Sequence, residues 1–308
     1  MDKNIKSKRS FSLKRFFQVL RNKFVRNRPA SEVIVHCIMF VFFALLAFSY
    51  VYMIGWCFVA GLRTHQEVVL HPFDGIQWHN LHWSNYAEVL TRLKINNTGF
   101  FGMIANSLFF SFLGPFLNIM TTIMFAYATT KYRFPGSKAV YYIIFITMIL
   151  PIYGTGGSIY KLFYNLKLIN SRLFIVTTLS ATGMNYMYFN AFFRGLSNTY
   201  SEAAQIDGAN PWQIFFRVVF PQTFALFGAL FIMSWIADWN GYQGYLIYLP
   251  RIPVLSVGIY QFNINMKYEV SMHILFAACF YSMLPPLILF ISCNKIILNN
   301  VSLGGIKE

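Results

Sequence analysis

Hydrophobic positions in this chain fall in long unbroken runs, and the polar positions gather between them. Six runs stand out, at about 33–60, 101–130, 139–163, 173–193, 222–242 and 271–293. Each is about 20 residues or longer, which is the length a helix needs to cross the hydrocarbon core of a bilayer. A membrane β-barrel would instead show short segments of alternating polarity. Only helices and closed barrels satisfy their backbone groups in lipid. The pattern therefore predicts an all-α polytopic membrane protein with six transmembrane helices. It divides the chain into a basic arm (1–32), a membrane domain (33–293) and a C-terminal tail (294–308).

Composition agrees. Of 308 residues, 56% are hydrophobic and only 11% charged, against about 25% charged in a soluble domain. A disordered chain, a collagen, a coiled coil and a small disulfide scaffold are excluded, and an ordinary cytosolic enzyme is disfavoured. Cys37, Cys57, Cys279 and Cys293 lie in or beside apolar runs without CxxC spacing. They read as small buried hydrophobes.

The net charge of +15 does not imply a nucleic-acid partner, because ten Lys/Arg sit within the first 31 residues. Six spans put both termini on one side. If that side is the cytoplasm, cytoplasmic segments hold 17 Lys/Arg and outer loops eight. This bias predicts cytoplasmic termini. The arm mixes Phe16, Phe17 and Leu20 with Lys14, Arg15 and Arg21. It reads either as an amphipathic segment on anionic lipid or as a disordered topogenic tail. The first run is not expected to be a cleaved signal peptide, since leader and run are too long and no cleavage site follows.

The most informative segment is the cytoplasmic loop at about 194–221. Thr199 and Glu202 have capping-box spacing, so a helix is expected to begin there. Asp207-Gly208 breaks it, glycine taking the left-handed conformation at little cost. Asn210 caps a second helix with Pro211 at its first position. Trp212, Phe215, Phe216 and Val219 are expected on one face. The prediction is two short helices around a glycine turn, either received by a soluble partner or lying on lipid headgroups.

The spacing Glu202-Ala203-Ala204, three residues, Gly208, nine residues, Val218, one residue, Phe220-Pro221 resembles the EAA motif of ABC importer permeases. The string Glu202-Ala-Ala-Gln-Ile-Asp-Gly-Ala209 resembles its carbohydrate-importer version. Asn106-Ser-Leu108, Ala126-Tyr127, Phe134-Pro-Gly136, Leu166-Lys-Leu-Ile-Asn-Ser171, Trp239-Asn240 and Gly304-Gly-Ile-Lys307 are similar to further positions of maltose-type second permeases. Val218 and Phe220 replace the family's commoner Ile and Leu. The lead-in Leu196-Ser-Asn-Thr-Tyr200 departs from its usual form.

This resemblance implies a type I ABC importer permease in a bacterial plasma (inner) membrane: a non-catalytic subunit for a sugar or oligosaccharide. It implies a second, related permease chain, two cytoplasmic ATPases and an extracytoplasmic solute-binding protein. Glu202, Ala203, Ala204, Asp207 and Gly208, with Pro211 and Pro221 framing the second helix, are carried over as the ATPase-coupling segment. ATP and Mg are expected on the partner ATPase, and no cofactor on this chain. The chain contains no GxxxxGK[ST] segment. Gly154-Thr-Gly-Gly157 lies within an apolar run and reads as helix packing or a kink.

Asp238 is a candidate for the substrate path, because an ionisable residue at membrane depth is costly to keep there. With Trp239, Asn240 and Asn106 it offers groups suited to sugar hydroxyls and sugar faces. The competing reading ends the span early and leaves Asp238 in water. Asn118 and Asn185, and Asn106 in its competing reading, are expected to tie helices together. His79-x-x-His82 lacks a third ligand, so the outer loop at 61–100 is expected to carry no metal and to serve as an interfacial or partner-contact segment. A self-contained secondary transporter or channel is the main alternative. A membrane-embedded enzyme would need a clustered catalytic set, and none stands out.

Overall fold

The structure, a computed structural model, describes residues 30–72, 74, 81–132, 134–150, 154–265 and 272–301, with the backbone alone at 30, 265 and 294–301. The basic arm up to residue 29, His79 and the 304–307 tail lie outside the described residues. The helices are α1 (Ala30–Leu62), α2 (His65–Leu70), α3 (Ser84–Arg92), α4 (Phe100–Lys131), α5 (Ser137–Ile149) and α6 (Gly156–Asn165). After a 3₁₀ turn (Arg172–Thr178) come α7 (Met184–Gly195), α8 (Thr199–Ile206), α9 (Pro211–Gln222) and α10 (Phe224–Asn240). α11 (Gln243–Tyr248), α12 (Leu255–Asn265) and α13 (Met272–Val301) complete the chain. Among the described residues the only other pairing is an isolated bridge between Ile95 and Thr98.

The chain forms two compact units, Met1–Cys57 and Phe58–Glu308. The described part of the first is the bulk of α1, apolar on all sides. Cys57 is buried as expected, whereas Cys37 is exposed.

The second unit is organised on α4, which packs along α7 and α10. Three apolar clusters follow its length. Phe100 and Met103 near its start meet Tyr86 and Val89 of α3, Trp235 and Trp239 of α10, and Ile274 and Ala277 of α13. Phe110 meets Ile175, Leu249 and Val257. Ile119, Ile123 and Tyr127 near its end meet Tyr186, Phe189 and Phe193 of α7 and Phe215 and Val219 of α9. One nearly all-apolar helix can serve three neighbours because it is buried on several sides rather than along one stripe.

Among the described residues, three helices are long and apolar enough to cross a membrane: Ser31–Leu62, Phe100–Lys131 and Met272–Cys293. Pro211–Gln222 and Phe224–Asn240, bent by 71°, make a fourth if taken as one span. The third and fourth apolar runs are not the uninterrupted helices expected of them. α5 stops at Ile149, and Gly154 stands at φ +85° before α6 begins. The fourth run is a 3₁₀ turn, a bend with Gly183 at φ +87°, and then α7. The broken backbone at the second site is supplied with partners by α4. Asn118 Nδ2 donates to Thr178 O (3.1 Å) and Ser180 Oγ (2.9 Å), and the Thr121 and Thr122 hydroxyls donate to Ser180 O (3.1 Å each). Non-helical backbone within an apolar region is tolerated where protein satisfies it in this way. Asn185 reaches Asn118 Oδ1 at 3.4 Å, so both asparagines act as the expected ties.

The described residues of the 61–100 loop are held by specific hydrogen bonds. Asn85 donates to the carbonyls of Gly61 and Arg63 at the end of α1, and Arg63 donates to the carbonyls of His71 and Asp74. Thr64 and Glu67 close a capping box on α2. The Thr64 backbone N–H donated to Glu67 holds that carboxyl below the usual carboxylate range. No group of three potential metal ligands exists among the described residues.

Candidate functional site

The loop between α7 and α10 is built mostly from local signals. α8 ends at Asp207, and Gly208 takes φ +79°. Ala209 N donates to Ala204 O (3.0 Å) and Gly208 N to Gln205 O (3.1 Å). These two bonds form a Schellman ending, which uses a glycine in the left-handed region to satisfy the last carbonyls of the helix. A β-carbon on Gly208 would meet no atom of this chain within 4 Å. The glycine is thus required by backbone conformation, and the space in front of it is open.

Asn210 then caps α9. Its side chain accepts from Gln213 N (2.8 Å), and Gln213 Oε1 accepts from Asn210 N (2.9 Å). This closes a reciprocal capping box with Pro211 at the first helical position. Asn210, three residues ahead of Gln213, was the visible signal for it, although the expectation went no further than the cap itself.

Two expectations for this loop are corrected. Thr199 and Glu202 form no capping box, because Asn198 occupies the cap position and the Thr199 hydroxyl pairs with Ser197 Oγ at 2.8 Å. Glu202 N finds its partner in Asn198 O. Nor do Trp212, Phe215, Phe216 and Val219 share one face. α9 is π-helical over Ile214–Val219, which adds residues per turn and shifts the phase. Ile214, Phe215 and Val219 are buried, whereas Trp212 and Phe216 are exposed and stack on each other with centroids 6.1 Å apart.

Burial fastens the loop and leaves its tip outside. Phe215 lies 5.2 Å from the Tyr127 ring of α4. Ala204 and Ala209 pack against the same cluster. Burying Phe215 and Val219 contributes roughly 1.5–3 kcal/mol each. Lys131, at the end of α4, donates to Leu196 O and to Asn198 Oδ1 (2.7 Å), fixing the lead-in; lysine at a helix end does not announce such a partner in the sequence. Glu202, Ala203, Asp207, Gly208, Pro211 and Pro221 are exposed, as is Ile206. An apolar cavity of about 410 Å³ lies between the end of α4 and α9, lined by Tyr127, Ala128, Pro211, Trp212 and Phe215 among others.

The four residues proposed for the substrate path do not meet at one surface. Asp238 is half-buried, and its Oδ2 accepts from the Tyr245 hydroxyl at 2.8 Å. The same oxygen lies 3.7 Å from where a β-carbon on Gly114 would stand, beside Thr178 and Ile175. Trp239 is buried, stacked on Trp235, and donates to Ser282 O at 3.1 Å. Asn240 is exposed and donates back to Ile236 O (2.9 Å). Asn106 donates to Pro253 O (3.0 Å), holding the start of α12 to α4. Tyr245 was missed because its role depends on a turn at Gly241 that returns it to Asp238.

Residues 118–301 match the family described as "Binding-protein-dependent transport system inner membrane component". The chain is 28% identical over 274 residues to the sn-glycerol-3-phosphate transport system permease protein UgpE of Pectobacterium atrosepticum, covering 88% of this chain and 96% of that one. The same protein from Escherichia coli O1:K1 is 26% identical over the same length. A bacterial ABC transporter chain involved in the import of the acidic polysaccharide alginate shares the fold. Its TM-score is 0.71 at 22% identity, with 87% of this chain and 98% of that chain covered.

Proposed function

We infer the function from one premise: this chain belongs to the binding-protein-dependent transport system inner membrane component family. It is the non-catalytic permease subunit of an ATP-binding-cassette importer in the plasma membrane. It spans that membrane six times with both termini in the cytoplasm, in the type I arrangement. It pairs with a second permease, receives its solute from an extracytoplasmic binding protein and is driven by two cytoplasmic ATPases, which hold ATP and Mg. The solute is a sugar or oligosaccharide. The likeness to UgpE permeases and to an alginate importer supports this class.

The observation that carries the reading is the tip of the 199–222 loop. Glu202, Asp207 and Gly208 project from a segment whose other side is packed on α4. A loop fixed at its base and bare at its tip suits a partner that must push on the membrane helices. Closure of the ATPases around ATP displaces the tip, and α9 passes the motion to α10. The result is a shift between inward-open and outward-open populations. Asp238, with Tyr245 beside it, is the substrate-path candidate best supported by the geometry, because its carboxylate faces Gly114, which has no side chain to fill the space between them.

The test is co-purification in mild detergent with the products of neighbouring genes, followed by uptake in proteoliposomes. Wild-type chain is expected to bring down an ATPase and a second permease and to require ATP for uptake, and Glu202→Lys to lose the ATPase. A chain that purifies alone and transports without ATP is a secondary transporter, and the proposal fails.

A further inference from the structure

A second cavity lies outside everything assigned so far. It measures about 420 Å³ and opens between the end of α4, the first turn of α5 and the last turn of α7. Its lining includes Thr130, Ser137, Lys138, Tyr141, Asn190 and Arg194, and no acidic residue. We propose that this cavity binds a phosphate group, carried by an anionic phospholipid or present as free phosphate.

The chemistry of the lining carries the proposal. Lys138 and Arg194 have no carboxylate partner among the described residues, so two cations face one cavity uncompensated. The Arg194 guanidinium sits 4.5 Å from the centre of the Tyr141 ring. That contact holds the planar fork in place while its edge stays available for anion oxygens. Ser137 is the first residue of α5, a helix of 13 residues. Its hydroxyl and the positive end of the helix join the cations. Deeper in, buried Asn190 donates to Thr130 Oγ1 at 2.8 Å. The Thr130 hydroxyl already accepts there, so its proton is free to be donated to an incoming oxygen. Two cations, two hydroxyls and a helix start converge on one opening, and no acidic residue among the described residues lines it.

The surroundings favour a lipid as the carrier. Tyr142 at the rim is exposed, and Ile143, Ile146 and Ile149 continue along α5 as exposed apolar side chains. A headgroup in the cavity would leave its acyl chains against that stripe. The loops at 131–138 and 194–221 are both on the side assigned to the cytoplasm, where anionic headgroups attract basic pockets.

The experiment places the full chain in nanodiscs of zwitterionic lipid containing a minor fraction of phosphatidylglycerol, and measures by native mass spectrometry the phosphatidylglycerol that stays bound on release. Wild type is expected to retain it. Lys138→Gln and Arg194→Gln should each lower retention about five-fold, and the double variant more. Arg194→Lys keeps the charge and should retain most of the lipid, which separates charge from packing on Tyr141. Lys138 is exposed, so its variant tests the site without disturbing the fold. If millimolar inorganic phosphate displaces the lipid and binds the chain in purely zwitterionic discs, the carrier is free phosphate and the site stands. Equal retention of phosphatidylglycerol by wild type and double variant, with no phosphate bound by either, overturns the proposal.

Discussion

In the loop between α8 and α9, the bonds that set the backbone join residues only a few positions apart: Ala209 to Ala204, Gly208 to Gln205, Gln213 to Asn210. Around Asp238 the surroundings come from separate elements: Gly114 on α4, with Thr178 at the end of the 3₁₀ turn on its other side, and Tyr245 on α11. The first region keeps its shape through chain-local chemistry and exposes what remains. The second exists only when the whole bundle is assembled. Local construction lets a tip be pressed on without undoing the fold beneath it. Remote construction makes a carboxylate's surroundings respond whenever the helices shift.

The comparison breaks most visibly at Gly208. Gly208→Asp should reduce ATP-driven uptake at least ten-fold, while the membrane helices stay folded. Gly208→Ala, which adds only the strain of a left-handed non-glycine residue at about 1–2 kcal/mol, should do less. Uptake assays on both, with circular dichroism as the check on folding, decide it. Unchanged uptake in the Asp variant would remove the coupling role.

A smaller effect sharpens the contrast between local and remote. Tyr245→Phe leaves Asp238 Oδ2 without its hydroxyl donor and should destabilise the bundle by about 1–3 kcal/mol. Asn210→Ala removes a cap whose loss costs about 1 kcal/mol. Thermal melting of the two variants in the same detergent should show the larger drop for Tyr245→Phe. The reverse order would mean that Asp238 is well hydrated without Tyr245.

The smallest effect compares two capping boxes. The one on α9 pairs Asn210 with Gln213 and contains no titratable group. The one on α2 pairs Thr64 with Glu67, whose carboxyl is held below its ordinary value of 4.5. A depressed carboxyl contributes stability in full above that ordinary value and loses it as pH falls through the depressed one. The protection of amides at the start of α2, taken relative to their intrinsic exchange rate at each pH, should therefore fall on acidification below pH 4.5, while that at the start of α9 does not change by this mechanism. Parallel loss of protection at both sites would assign the effect to global loosening.

Much of the fold was legible where one apolar run makes one helix, as at α1, α4, α10 and α13. It was not legible at 139–163 and 173–193, because hydropathy measures what lipid tolerates and not where the backbone turns. Gly154 and Gly183 at positive φ break those runs, and Asn118, Thr121 and Thr122 on another helix make the second break affordable. In the loop, Gly208 and Asn210 could be read because their signals are local. Thr199 misled because Ser197 competes for its hydroxyl. The split of Trp212 and Phe216 from Phe215 was hidden because a π-turn abandons the period on which face assignments rest. Trp239 looked like a surface for sugars and is packed on Trp235, a distinction composition does not carry.

The bend between α9 and α10 has a mechanical meaning. Thr223 sits at the corner, fully buried, with its hydroxyl on Phe220 O, and the two helices meet there at 71°. Two stiff rods joined near a right angle make a crank. α9 is an arm about 18 Å long, so a twist of α10 about its own axis by about 10° carries Pro211 through an arc of about 3 Å. A straight continuation of the two helices would turn in place and carry that end nowhere.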